Sequence, residues 1–213
     1  MKGLLTKDFY LLGNQYRSLL LILICGIGMS FGMDTFSGIV YLTMIGSIFS
    51  LSTLSYDEME NGYSYLLTFP VSRKTYAKEK YVFSFLMSVF FCLLGLIICI
   101  IVGFIKDGQL IEEIGENVIT SLMMSVFLIS IMLPLRLKYG SEKSKFVLFG
   151  IFGIGALIVY FLNGNNGENY SKLAEKLSQL DFKIVLAAMI TFIVILCCIS
   201  VAASIRIMEK KEF

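Results

Sequence analysis

The densest run of side chains able to do chemistry is Tyr56-Asp57-Glu58-Met59-Glu60-Asn61-Gly62-Tyr63-Ser64-Tyr65, continued by Leu66-Leu67-Thr68-Phe69-Pro70-Val71-Ser72-Arg73-Lys74. Carboxylates come first and aromatic rings follow. Asn61-Gly62 reads as a turn, Pro70 breaks any helix, and a new helix is predicted to start at Ser72. Rings and aliphatic groups in a polar segment need cover, either from the membrane interface or from a protein partner.

Elsewhere the sequence removes chemistry. It contains no histidine, which excludes Ser-His-Asp triads, Cys-His pairs and His-ligated zinc. None of the 18 glycines is followed by Lys, so there is no Walker A loop to grip ATP. The five cysteines (Cys25, Cys92, Cys99, Cys197, Cys198) sit in apolar runs without zinc-site spacing and read as small packing residues. Asp107, Glu112, Glu113 and Glu116 lack Asp-x-Asp spacing and read as a solvated loop, not a calcium site. A net charge of +2 gives no ground for nucleic-acid binding.

The elements that must hold these residues are membrane spans. Apolar residues make up 57% of the 213 and charged residues 16%, against about 25% charged in soluble domains. Mean hydropathy is +0.81. Six stretches lack Asp, Glu, Lys and Arg over roughly the 17–25 residues needed to cross a bilayer: 18–33, 35–56, 81–105, 117–135, 146–162 and 184–205. The first two are separated only by Asp34 and form a tight hairpin, and Pro134 could kink or stop the fourth. Gly140 suits a helix C-cap and Ser141 an N-cap.

Taken with the N-terminus, the C-terminus and the segments after spans two and four as one side, that side holds 14 of the 18 basic residues. The positive-inside rule then makes both termini cytoplasmic. Residues 2–16 place Leu5, Phe9, Leu12 and Tyr16 on one helical face, as in an amphipathic helix on the membrane surface, and a cleaved signal peptide is not expected. Asn163-Gly164-Asn165-Asn166-Gly167 reads as an outer loop, followed by a short helix with Leu173, Leu177 and Leu180 on one face. Gly28 to Gly32 and Gly46 to Ser50 have small-xxx-small spacing for close helix approach. Inside the spans almost nothing is ionisable beyond thiols, with Asp34 at an edge, so the chain is poorly equipped to harvest an ion gradient. The class is an all-α integral membrane protein: one transmembrane domain over 1–213, six spans after an interfacial helix at 2–16, and a cytoplasmic loop at 57–80.

This arrangement resembles the membrane (permease) subunit of a type-2 ATP-binding-cassette exporter. The likeness rests on Lys2-Gly3-Leu4-Leu5 and Lys7-Asp8-Phe9, on Glu60-Asn61-Gly62 followed by Leu67-Thr68-Phe69-Pro70-Val71-Ser72-Arg73 and Lys78-x-Lys80-Tyr81, and on Leu133-Pro134-Leu135 followed by Tyr139-Gly140-Ser141-Glu142-Lys143. Phe69 stands where the family commonly has Leu. Within the family, the small permeases of phenol-soluble-modulin exporters of Gram-positive bacteria are similar in brevity and composition.

The resemblance implies a chain without catalytic residues or cofactor of its own, driven by a separate ATPase subunit that holds ATP and Mg. It implies a second permease copy, more readily a homodimer than a heterodimer, and a multi-pass place in a bacterial cell membrane. It also implies a coupling helix in the loop after span two, with Asp57, Glu58, Glu60, Asn61, Tyr63 and Tyr65 as candidates: exposed acids for a basic groove, and aromatic anchors. The expected cargo is an amphipathic peptide, with lipid around it. A non-transporting sensor or immunity protein of the same fold, partnering a kinase or toxin, stays open. An intramembrane enzyme has no visible catalytic group.

Overall fold

The structure, a computed structural model, describes residues 2–33, 35–58, 72–106, 114–178 and 182–210. Every regular element among them is helical: α1 Lys2–Gly13, α2 Tyr16–Gly32, α3 Thr35–Ser50, α4 Ser52–Glu58, α5 Arg73–Lys106, α6 Ile114–Ser178 and α7 Phe182–Lys210. Four helical stretches are long and apolar enough to cross a membrane: Phe36–Glu58, Arg73–Lys106, Ile114–Gly155 and Leu186–Lys210. Counting α1 and α2 as one bent span makes five.

Six separate spans therefore do not emerge. The expected spans 117–135 and 146–162 both lie within α6, which also runs through the Asn-Gly stretch expected to be a loop. Six of the ten residues 136–145 are Lys, Arg, Leu or Glu, which hold a helix with little loss of side-chain freedom. Gly140 is the one break in that backbone, at φ +82°. A left-handed residue does not fit the regular helical backbone, and the Ser141 N–H after it bonds the Glu58 carboxylate. Beyond it, Phe146 and Phe149 are about three-quarters exposed, and this part of α6 adds little to the core.

Pro134 does not stop α6. Proline has no N–H to give the carbonyl four residues earlier, which here belongs to Ser130. The Ser200 hydroxyl on α7 takes that carbonyl, and Tyr81 on α5 bonds the hydroxyls of Ser200 and Ser204. Three helices are thus tied together where the proline frees an acceptor.

The hairpin of α2 and α3 closes over glycine. A Cβ at Gly26 would lie 2.7 Å from Leu42, one at Gly46 would overlap the Phe91 ring, and one at Gly95 would stand 3.0 Å from the Ile39 backbone. A Cβ at Gly28 or Gly32 would meet nothing within 4 Å, so that small-xxx-small pair brings no described helix of this chain close. Leu12, Leu42, Phe83, Met87 and Phe91 form one core cluster, and Leu51, Leu54, Tyr76, Leu133, Leu137 and Met208 belong to another nearer the α4 end.

α5 has 34 residues, about 51 Å at 1.5 Å per residue, well beyond the roughly 30 Å of bilayer hydrocarbon. Its uncharged part is 81–105, and its first eight residues carry Arg73, Lys74, Lys78, Glu79 and Lys80. Ser72 caps its N-terminus: the hydroxyl accepts the Thr75 N–H at 3.2 Å.

Candidate functional site

The polar residues gather at one end of the helix bundle, around α4. This short helix follows a break in the span at Leu51 and leads directly into residues 59–71. A break frees backbone acceptors, and the buried guanidinium of Arg136 on α6 donates to the Leu51 carbonyl at 2.6 Å. At the other end of α4, Glu58 accepts the Ser141 N–H at 2.7 Å, the first backbone donor after the turn at Gly140. The face between these grips carries Thr53, Leu54 and Asp57, all buried.

Asp57 is the centre of an ion-pair node. Its carboxylate pairs with Lys7 of α1, receives Lys80 of α5 at 2.9 Å and accepts the Tyr76 hydroxyl at 2.8 Å. Lys80, 1% exposed, also bonds Asp8 of α1 and lies 3.2 Å from the Thr53 hydroxyl. The Tyr76 ring stands beside its ammonium, 5.3 Å to the centroid. Lys7 also stands 3.5 Å from Asp8. Two cations and two carboxylates from three helices therefore share one cluster, in which Asp8, Asp57 and Lys80 are buried and Lys7 is about one-third exposed. Such a group offsets its desolvation only when every member is paired, so the three helices are held in register.

Glu79 is the odd member. Its side chain is fully buried, and neither carboxylate oxygen has a hydrogen-bond partner among the described residues. Burial pushes its carboxyl from 4.5 up to about 7, with Asp8 and Asp57 adding to the push while Lys80 and Lys7 oppose it. Glu79 lies in the charged first part of α5, before the uncharged run 81–105.

The start of α5 is also tied to the end of α7. Arg73 donates to the Glu209 carbonyl at 2.9 Å, and Lys74 pairs with the Glu209 carboxylate at 3.0 Å. Residues 59–71 are thus flanked by α4, gripped by α1, α5 and α6, and by the start of α5, gripped by α7.

Of the candidates named from sequence, Asp57 and Glu58 are placed, while Glu60, Asn61, Tyr63 and Tyr65 lie outside the described residues. Asp57 and Glu58 are not exposed acids: Asp57 is 5% exposed and ion-paired, and Glu58 caps a backbone turn. The face of α1 also differs from the sequence expectation. The buried stripe is Leu4, Asp8 and Leu12, whereas Phe9 and Tyr16 are half exposed. Spacing of four residues puts Asp8 between two leucines on the protein side, and its pairing with Lys80 fixes the helix's rotation. A bend of 71° sets α1 across α2.

Sequence reading missed Asp8, Thr53, Tyr76, Glu79, Lys80 and Arg136 as a set. Their available signal was a carboxylate on an otherwise leucine stripe in α1, and the Glu79-Lys80 pair abutting a long uncharged run.

Between α5, α6 and α7 lies an open groove of about 450 Å³ lined only by apolar surface, including Phe85, Leu122, Val126, Ile193 and Cys197. Among the described residues no three His, Cys, Asp or Glu side chains are placed to hold a metal ion.

These features define a helical membrane protein whose charged machinery lies at one end. Residues 3–209 match the model of the ABC-2 family transporter protein, and the chain belongs to that family. Its members are transport permeases without catalytic residues, and this chain is a permease of that kind. No curated protein and no solved structure matches the chain.

Proposed function

We propose that this chain is the membrane subunit of an ATP-driven exporter, and that a separate ATPase subunit works it through residues 59–71. The observation that carries this reading is the ion-pair node: Lys7, Asp8, Asp57 and Lys80 bind α1, α4 and α5 at the place where that segment leaves α4. A push on the segment would be delivered to a stiff joint rather than absorbed by one helix end. Arg136 and Glu58 extend the joint to α6, and Arg73 and Lys74 extend it to α7.

In this reading Tyr63 and Tyr65 are the anchors on the ATPase, while Asp57 and Glu58 work inside the permease to transmit the load. ATP and Mg belong to the partner. Two copies of the chain flank the route, with the node on the cytoplasmic side of a bacterial membrane, Gram-positive by the resemblance to modulin exporters. The cargo is an amphipathic peptide, whose apolar face suits a groove without polar lining.

The test is reconstitution of the chain with its ATPase in vesicles and measurement of ATP-dependent movement of a labelled amphipathic peptide. Transport should require both proteins and ATP, and changing Tyr63 and Tyr65 together to Ala should abolish ATPase binding. Transport by the chain alone, or unchanged binding by that variant, would overturn the proposal.

A further inference from the structure

We infer that Glu79 is a proton-binding site that sets how firmly α1 is held against α4 and α5: neutral when the node is closed, and ionised when the node loosens. The inference rests on the node's geometry, not on export or on an ATPase partner. An ionised carboxylate buried without a partner is strongly disfavoured, and a proton is the simplest way to remove its charge. Glu79 is such a group, with neither oxygen partnered among the described residues.

A metal ion is the other way to neutralise it, but the described acids do not converge enough to hold one. The charged groups acting on it are Lys7 and Asp8 from α1, Asp57 from α4 and Lys80 from its own helix. Both cations are already committed to Asp8 and Asp57. When the Glu79 O–H bond breaks, the proton leaves to water and the new anion competes for Lys7 and Lys80. Drawing either cation away weakens the bonds that fix α1. The chain has no histidine, so the usual side chain for sensing this pH range is missing.

The sign follows from the carboxyl's position at about 7 in the folded chain against 4.5 ordinarily. Between these values the folded state keeps a proton that the unfolded state has lost. Glu79's own contribution to stability is therefore greatest below 4.5, declines as pH rises toward about 7, and is flat above it.

The experiment is infrared difference spectroscopy on the full chain in lipid nanodiscs between about pH 5.5 and about pH 8.5, a window in which ordinary carboxyls stay ionised. Wild type should lose a protonated-carboxyl C=O band as pH rises, and Glu79→Gln, which cannot ionise, should show no such loss. Lys7→Met removes a cation that favours the anion and should move the midpoint upward. Amide exchange in α1 at the upper pH should be faster in wild type than in Glu79→Gln, with the two equal at the lower pH. A band that persists in Glu79→Gln, a midpoint unmoved by Lys7→Met, or equal exchange at the upper pH would each overturn the inference.

Discussion

Lys80 reaches across 72 residues of sequence to Asp8, and the two side chains are 1% and 0% exposed. One sits at the start of a membrane-spanning helix, the other on a helix set at 71° to the next. Their pairing turns an N-terminal segment that could have been a loose surface helix into a fixed part of the joint around α4.

Removing one member of the node leaves an uncompensated buried charge, which costs roughly 3–5 kcal/mol. Lys80→Met should therefore lower the thermal midpoint of the purified chain strongly, because Asp8 and Asp57 then share only Lys7. Lys74→Met, which breaks an exposed pair with Glu209, should change it by less than about 1 kcal/mol. Thermal unfolding of both variants in one lipid system checks the contrast.

Gly140 is left-handed at φ +82°, a conformation that costs an alanine about 1–2 kcal/mol. Gly140→Ala should destabilise by that amount, and Gly140→Asn by less, since asparagine tolerates this region. An added Cβ is not crowded, because the nearest atoms are those of the Glu58 carboxylate at 3.5–3.7 Å. A thermal scan that ranks Gly above Asn above Ala supports a conformational cause.

The Ser130 carbonyl freed by Pro134 depends on Ser200. Ser200→Ala should cost about 1–3 kcal/mol, the penalty of an unsatisfied buried acceptor. Pro134→Ala restores an N–H within α6, so the cost of Ser200→Ala should shrink in that background. A double-mutant cycle on stability measures the difference.

Gly46 packs directly under the Phe91 ring. Gly46→Leu should force α3 and α5 apart and destabilise by about 1–3 kcal/mol. Gly28→Leu, at a position open on all sides, should be close to neutral. Comparing the two separates glycine used for packing from glycine with no neighbour.

The helical class, the α2–α3 hairpin and the Ser72 cap were legible in the sequence because each depends on neighbours within a few residues. The node was not. Lys7 and Lys80 read naturally as basic residues at a membrane surface, and only folding shows them turned inward onto Asp8 and Asp57. The same long-range pairing chose the face of α1, overriding the apolar pattern of Leu5, Phe9, Leu12 and Tyr16. The run of α6 through two expected spans was hidden because uncharged length marks where a bilayer could be crossed, while helix propensity marks where the backbone can continue.

The most direct measurement is a double-mutant cycle on ATP-driven transport by the reconstituted permease and ATPase, using Asp57→Asn, Lys80→Met and the pair together, with ATPase binding followed in parallel. If the node carries the load, each single change should cut transport at least about tenfold with binding retained, and the double change should be no worse than either, a coupling of about 1.4 kcal/mol or more. Wild-type transport in the singles, or losses that simply multiply in the double, would contradict a load path through Asp57 and Lys80.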